Sequence, residues 1–243
     1  MHIVRAFFMA LGMFTAIPCP YRPWEEESRG IMLACLPIVG ALIGLIWTLI
    51  AVSAKALLPS SLGAAFIAAQ PYVLTGFIHL DGFMDVSDAI LSWRPLEKRL
   101  EILKDPHIGA FAAINVVLVI MFSYGSACCG MDLRALALIP VVSRCGSAFA
   151  VSALPALGHS EYAALGRGIH RKLAVVLIWA ITIVAGVVWL GAPAAALLVE
   201  TVAYAAAMAW AFRTLKGVSG DLAGFALTIS ECCALIALAV IGG

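Results

Sequence analysis

IMLACLPIVGALIGLIWTLIAVSAKALL, residues 31–58, is an almost unbroken apolar run whose one charged side chain is Lys55. An α-helix rises about 1.5 Å per residue, so about 20 apolar residues cross the ~30 Å hydrocarbon core of a bilayer. An apolar run of this length exceeds what the core of a soluble protein requires. The stretch therefore predicts a membrane-spanning helix.

Further apolar segments of spanning length follow this first one along the chain. They cover residues 62–80, 108–130, 133–157, 173–191, 194–212 and 222–241. The N-terminal segment 3–18 is shorter and ends at a proline, which favours a re-entrant or interfacial helix. The sequence therefore predicts an all-α polytopic integral membrane protein with about seven transmembrane helices, preceded by this N-terminal helix.

The composition supports one membrane-embedded domain over residues 1–243, because no stretch is polar enough to fold as a separate aqueous domain. Hydrophobic residues make up 63% of the chain and charged residues only 12%. The net charge of +1 lacks the basic excess expected of a nucleic-acid-binding protein. The seven cysteines lie mostly in apolar runs, which indicates neither a disulfide framework nor a zinc site.

Charged and uncharged links alternate between the predicted spans. The charged links are residues 22–29, 81–105, 167–172 and 213–221, and the nearly uncharged ones are 59–61, 130–133 and 191–193. This alternation places all the charged links on one face of the bilayer, and the positive-inside rule makes that face cytoplasmic. The expected surroundings are the lipid bilayer and, on the charged face, the cytoplasm. Association with a second copy of the chain is left open.

The segment HLDGFMDVSDAI, residues 79–90, places Asp81, Asp85 and Asp88 along one face of a helix, at spacings of four and three residues. Like charges so arranged repel one another, especially near lipid, which implies a counter-charge. Carboxylate oxygens suit Mg²⁺, which proteins commonly hold with one or two carboxylates and the phosphates of a substrate. The alternative is a solvated helix end whose acids pair with Arg94, Lys98 and Arg99, which follow it in the same link.

Two further polar segments follow this aspartate box (Asp81, Asp85 and Asp88) along the chain. KDPHIG, residues 104–109, adds Asp105 as a fourth carboxylate, although Asp before Pro is also common in turns. Arg94 and Lys104 could hold phosphate oxygens, and His79 could act as a general base or only form a structural hydrogen bond. KGVSGD, residues 216–221, has glycines that permit close backbone approach to a ligand; alternatively it is a tight turn with Asp221 as the N-cap.

Ionisable residues also occur inside the predicted spans, where each one is a functional hypothesis by default. Arg144, Glu200 and Glu231 lie well away from the ends of these spans. We expect Arg144 and Glu231 to face a cavity or each other, because an isolated charge in this environment is costly.

The segments HLDGFMDVSDA (79–89) and RLEILKDPHIG (99–109) together resemble the signature of the cobalamin synthase family, the adenosylcobinamide-GDP ribazoletransferases of cobamide biosynthesis. Further matching stretches are FTAIPCP (14–20), ESRGIMLACLPIVGALIG (27–44) and RTLKGVSGDLAG (213–224). The resemblance covers most of the chain in order. It departs from the family pattern at Ala89, at Pro106 and His107, and at Lys216, and leaves every carboxylate of the box in place.

The resemblance implies a Mg²⁺-dependent enzyme of the bacterial inner membrane that joins adenosylcobinamide-GDP to α-ribazole or its 5′-phosphate and releases GMP at the cytoplasmic face. The predicted metal ligands are Asp81, Asp85, Asp88 and Asp105, and the predicted catalytic residues are Asp81, Asp85 and His79. Predicted substrate-binding residues are Arg29, Arg94, Lys104, His107, Lys216, Gly217, Gly220, Asp221 and Glu231. Gly82 and Gly109 also match the family pattern.

Three other classes of membrane protein share part of this pattern. CDP-alcohol phosphotransferases also use several aspartates, but their longer motif is not present. UbiA-like prenyltransferases use two aspartate-rich boxes, and the acids beyond residue 157 are too dispersed to form a second one. A transporter or Mg²⁺ channel would be expected to carry acids near the membrane midplane, whereas these acids cluster at one face.

Overall fold

The computed structural model describes residues 2–21, 23–158 and 168–242, and these residues form eleven α-helices and no β-strand. Arg22 and Arg167, which contribute to the predicted charged links, lie outside the described residues. In chain order the helices are α1 (His2–Phe14), α2 (Arg29–Ala34), α3 (Leu36–Leu57), α4 (Ser60–Leu74), α5 (Ile78–Leu91), α6 (Leu96–Ile102), α7 (Ala110–Cys128), α8 (Ile139–Ala153), α9 (Ile169–Leu190), α10 (Ala195–Leu215) and α11 (Gly220–Gly242).

Six of these helices are long and apolar enough to cross a membrane, namely α3, α7, α8 with the 3₁₀ turn before it, α9, α10 and α11. The all-α polytopic fold is therefore confirmed. Helix α1 is apolar but has only 13 residues, which is too short to span the bilayer as a straight helix. This length fits the expectation of a separate N-terminal helix.

The predicted second span, residues 62–80, is not one continuous helix. Helices α4 and α5 meet at an angle of 88°, so the number of spans is six, or seven if the bent pair counts as one. The bend lies at Gly76 and Phe77, whose φ angles of 60° and 64° are left-handed and cannot continue an α-helix. Helix α5 has 14 residues and is too short to cross a bilayer alone, so we place it outside the six spans.

A proline inside α4 removes one backbone hydrogen bond, and a tryptophan from α3 replaces it. Pro71 has no N–H to donate to the carbonyl of Ile67, one turn earlier. That carbonyl instead accepts a hydrogen bond of 2.8 Å from the indole Nε1 of the fully buried Trp47. Because lipid offers no hydrogen-bond donor, this contact lets α4 keep a proline within the apolar bundle.

Two glycines bring α3 very close to α8 and the turn before it. A Cβ at Gly40 would lie 2.3 Å from the carbonyl oxygen of Pro140, and one at Gly44 would lie 2.3 Å from that of Ala137. Only a hydrogen in place of a side chain fits at such backbone separations. Small residues four apart are a common means of close helix packing in membranes, and here they position α8 against α3.

The four charged links lie at one end of the bundle, as the alternation predicts. A Cβ at Gly82 would lie 2.7 Å from Cα of Asp221. The second link and the fourth link are therefore in contact. Leu157, at the end of the predicted span that precedes the third link, donates its N–H to the Val218 carbonyl of the fourth link at 2.8 Å. Arg171 of the third link packs over Gly30, which directly follows the first link. The assignment of this end to the cytoplasm stays a prediction.

Candidate active site

The aspartate box lies on α5, and α5 packs along the first turns of α11. The helices approach closely because Gly82 faces Asp221 and Gly224 faces His79: a Cβ at Gly224 would lie 3.0 Å from the His79 carbonyl oxygen. The same carbonyl accepts a hydrogen bond from Thr228 Oγ1 at 3.3 Å. This packing places Asp221 beside the box, which links two sequence motifs about 130 residues apart.

Four carboxylates interact where α5 meets α11. Asp81 is exposed, and Asp85, one turn further, is partly buried. Burial, and then the negative charges of Asp81, Asp221 and Asp88, raise the pKa of Asp85 from 3.8 to about 6. The carboxylates are thus close enough to oppose one another's ionisation, as the spacing predicts. Asp221, predicted to bind substrate or to cap the last helix, belongs to the same group.

Asp88 is buried and caps α7 with both of its oxygens. Its Oδ2 accepts from the Gly109 N–H at 2.7 Å, and its Oδ1 accepts from the Ala112 N–H at 2.9 Å. These donors belong to the start of α7, where a carboxylate satisfies unpaired N–H groups and interacts favourably with the helix dipole. Residue 109 is glycine because a Cβ there would lie 2.5 Å from Asp88 Oδ1. Asp88 therefore fixes the position of α7 relative to α5.

Asp105 and His107 form a local pair in the exposed loop before α7. Asp105 Oδ1 accepts from the backbone N–H of His107 at 3.0 Å and lies 2.6 Å from the His107 Nδ1. These hydrogen bonds lower the pKa of Asp105. The turn interpretation of KDPHIG accounts for this contact. Arg94 and Lys104 are also exposed, so these predicted substrate-binding side chains stand free in solvent.

The KGVSGD segment connects α10 to α11 by a close backbone crossing. A Cβ at Gly217 would lie 2.5 Å from Cα of Leu157, so the absence of a side chain at Gly217 allows the two backbone segments to cross at this distance. Ser219 Oγ accepts from the Leu222 N–H at 3.4 Å, and Ser219 also donates to Asp221 Oδ2 at 3.2 Å. Ser219, rather than Asp221, is thus the N-cap of α11. The Asp221 carboxylate therefore stays available beside the box.

Lys216 adopts a left-handed conformation with φ 63° at the end of α10, a position that favours glycine. We expect Lys216→Gly to stabilise the protein by roughly 0.5–1 kcal/mol, because the strain of a Cβ in this region is relieved. Lys216→Ala removes the same charge and keeps the strain. Thermal unfolding in detergent should separate the two variants. An equal rise in KM in both would support the predicted contact of Lys216 with substrate.

A buried ion pair joins α8 to α11. The Nη1 of Arg144 donates to Oε1 of Glu231, which also accepts from Ser143 Oγ at 2.8 Å; Arg144 is 2% exposed and Glu231 4%. The expectation that Arg144 and Glu231 face each other is confirmed. Glu231 was predicted to bind substrate, and its carboxylate is held here by Arg144. The fully buried Glu200 of α10 lies close enough to interact electrostatically with both.

A cavity of about 110 Å³ lies between these two groups of charges. Its polar lining comes from His79, Arg144, Ser147 and Asp221, and helices α1 and α3 supply apolar side chains. The Phe14 ring of α1 stacks on the His79 imidazole, with ring centres 6.3 Å apart and planes within 10°. The carboxylates and the polar cavity together form the candidate active site, which α1 partly covers.

Comparison with known proteins gives a consistent family assignment. The family model of cobalamin-5-phosphate synthase matches residues 6–239. The chain is 34% identical to an adenosylcobinamide-GDP ribazoletransferase of Clostridium perfringens (strain SM101 / Type A), over 98% of both chains. It is 34% identical to one of Clostridium botulinum (strain Alaska E43 / Type E3), over 95% of both. With one of Geobacillus kaustophilus (strain HTA426) it shares 33% identity, over 90% of this chain and 89% of the relative. No solved structure matches.

Proposed function

The chain belongs to the cobalamin-5-phosphate synthase family, and on that premise we propose that it joins adenosylcobinamide-GDP to α-ribazole, or to its 5′-phosphate, with release of GMP. The names of the relatives support the first substrate and the class of reaction. The family match also decides against the CDP-alcohol phosphotransferase and UbiA-like alternatives. The proposed place is the cytoplasmic face of the bacterial inner membrane.

This proposal rests on one observation: Asp221 of α11 lies close to the aspartate box of α5, beside a polar cavity. A nucleoside diphosphate ester is highly charged, and a group of carboxylates attracts it only through a cation. The donor atoms here are hard oxygens that repel one another, and such a set fits Mg²⁺. Among the described residues, no three His, Cys, Asp or Glu side chains are preassembled as a metal site. Since Mg²⁺ usually retains waters and substrate phosphates, one or two carboxylates suffice.

We therefore narrow the predicted metal ligands to Asp81 and Asp85, with Asp221 adjacent. Asp88 is engaged by two backbone N–H groups, and Asp105 is engaged by His107. Bound Mg²⁺ would reduce the negative charge that an approaching hydroxyl meets at the diphosphate. The exposed side chains of Arg94, Lys104 and His107 follow the box in the chain, and we propose that they contact the phosphates of the nucleotide.

The cavity beside the box has the lining expected of a hydroxyl-binding site. Arg144 is a donor and Asp221 is an acceptor. Since Glu231 balances the charge of Arg144, the cavity suits a neutral sugar better than a phosphate. We propose that it holds the ribose of the acceptor. The ribose oxygen bonds to the phosphorus on the cobinamide side, the bond to GMP breaks, and Asp221 or His79 accepts the hydroxyl proton.

The direct test is the reaction itself. Purified protein in detergent or liposomes, given adenosylcobinamide-GDP, α-ribazole and Mg²⁺, is expected to release GMP and form the corresponding cobamide in equal amounts. Both products are measured by chromatography. Omission of α-ribazole controls for hydrolysis, because a hydrolase would release GMP without the acceptor. GMP release that does not depend on α-ribazole, or no release in any mixture, would rule out the proposed transfer.

A further inference from the structure

An elongated apolar slot of about 520 Å³ lies between α8, α9 and α10, on the side of α8 that faces away from the candidate active site. Aromatic rings from all three helices line it, including those of Phe149, Trp179 and Tyr204. Along α10 the lining runs from Thr201 to Arg213. This distance corresponds to about 18 Å at 1.5 Å per residue, close to the ~15 Å of hydrocarbon in one leaflet.

The slot opens toward the bilayer. Phe149 of α8 and Val176 of α9 line it and are 45% and 42% exposed, and Ala205 and Ala209 of α10 are exposed lining residues as well. Helices α8, α9 and α10 are spanning helices, so exposed apolar surface on them faces lipid. An occupant can therefore enter sideways from the membrane, without passing the aspartate box.

Polar groups in the walls of the slot already have partners. The indole N–H of Trp179 donates to Thr201 Oγ1 at 3.1 Å, and Thr201 donates to the Leu197 carbonyl at 2.8 Å. The Tyr204 hydroxyl donates to Ser147 Oγ at 3.3 Å. A nucleoside or sugar placed here would lose its hydrogen bonds to water without replacement. The interior of the slot therefore selects an apolar chain.

One charge marks an end of the slot. Arg213 lines it in the last turn of α10, at the end of the bundle that carries Asp221. Its side chain is exposed, and among the described residues it forms no ion pair. A guanidinium binds phosphate oxygens in a bidentate manner. We propose that the slot binds an acyl chain of an anionic phospholipid whose headgroup phosphate is held by Arg213.

A lipid in this slot would support the α10–α11 link, which leads to Asp221 of the candidate active site. Leu154 lines the slot just before the segment that crosses the α10–α11 link. In that crossing, Val218 N–H donates to the Pro155 carbonyl and Leu157 N–H donates to the Val218 carbonyl, both at 2.8 Å. The chain between Arg213 and Asp221 is thus fixed on one side by this crossing and on the other by the bound lipid.

Native mass spectrometry of the purified protein, incubated with phosphatidylglycerol or phosphatidylcholine, tests this binding. The wild type is expected to retain one phosphatidylglycerol with higher affinity than phosphatidylcholine. Arg213→Gln should weaken the binding of phosphatidylglycerol about five-fold, and that of phosphatidylcholine by a smaller factor because its choline cation already offsets the phosphate charge. Lys55→Gln, which removes an exposed charge from the last turn of α3, is the matched control and should bind like the wild type.

A second experiment blocks the slot with a bulky side chain and measures lipid retention in the same way. Ala209→Phe fills it and should abolish retention of both lipids, whereas Ala206→Phe, on the same helix but outside the lining, should not. Size-exclusion profiles identify a variant that fails to fold, and Arg213→Gln carries the test in that case because Arg213 is exposed. Equal phosphatidylglycerol binding in wild type and Ala209→Phe, or equal binding in wild type and Arg213→Gln, would overturn the proposal. Displacement of the lipid by α-ribazole would also overturn it.

Discussion

Asp85→Asn is expected to lower GMP release by at least about 100-fold, the scale seen when one transition-state-stabilising group is removed. Asn keeps the size of the side chain but removes the negative charge that we propose to hold Mg²⁺. Its fold should be preserved or stabilised, because burial and three neighbouring carboxylates oppose the ionised form of Asp85. Loss of activity together with an unchanged or higher unfolding temperature is therefore the expected combination.

Two measurements on this variant do not depend on turnover. Mg²⁺ should raise the unfolding temperature of the wild type and have a much smaller effect on Asp85→Asn. Without Mg²⁺, the raised pKa means that the folded protein binds this proton more tightly than the unfolded chain does. Wild-type stability should therefore fall as the pH rises from 3.8 to about 6, and Asp85→Asn should weaken that dependence.

Glu97→Gln is the matched control, since it removes one exposed carboxylate from α6 near the same end of the protein. It should keep wild-type activity and the wild-type response to Mg²⁺. Wild-type GMP release by Asp85→Asn at saturating Mg²⁺ would show that Asp85 does not have the proposed role. A similar loss in Glu97→Gln would instead point to a general effect of surface charge.

Six spanning helices could be predicted because each corresponds to an apolar run long enough to cross the bilayer. The break after α4 could not, because it depends on Phe77, a residue type that rarely adopts its left-handed conformation. Gly76 and Pro71 were local signals of a break, but neither indicates its position and angle. The sequence pattern predicts a helix before and after the bend, but the packing around the bend determines the angle between α4 and α5.

The ion pair of Arg144 with Glu231 could be expected, because charged residues inside apolar segments need partners. The cavity between Arg144 and the aspartate box could not. Ser147 is an ordinary small residue in an apolar run, and only the packing of α11 against both α8 and α5 brings it into the same cavity as His79 and Asp221. Spacing places residues on one face of one helix but does not identify the helices opposite that face.

The same limit applies to the roles of the aspartates, and it leads to a prediction for Asp88. Spacing treats Asp81, Asp85 and Asp88 alike, yet only Asp88 accepts two backbone N–H groups of α7. In Asp88→Asn one of these donors faces an amide NH₂ group and loses its acceptor. The expected cost is about 2 kcal/mol, and the unfolding temperature in detergent should fall by about 4–8 °C.

Two variants separate this capping role from metal binding. Asp81→Asn removes the same charge from the same helix without touching α7, so its unfolding temperature should not fall. Gly109→Ala keeps Asp88 but puts a methyl group 2.5 Å from its carboxylate oxygen, so it should lose stability as Asp88→Asn does. The folded fraction of Asp88→Asn should still be stabilised by Mg²⁺. The opposite result would be an Asp88→Asn variant that is as stable as the wild type but no longer responds to Mg²⁺. Asp88 would then be a metal ligand, because loss of the capping hydrogen bonds lowers stability, whereas loss of a metal contact does not lower the stability of the metal-free protein.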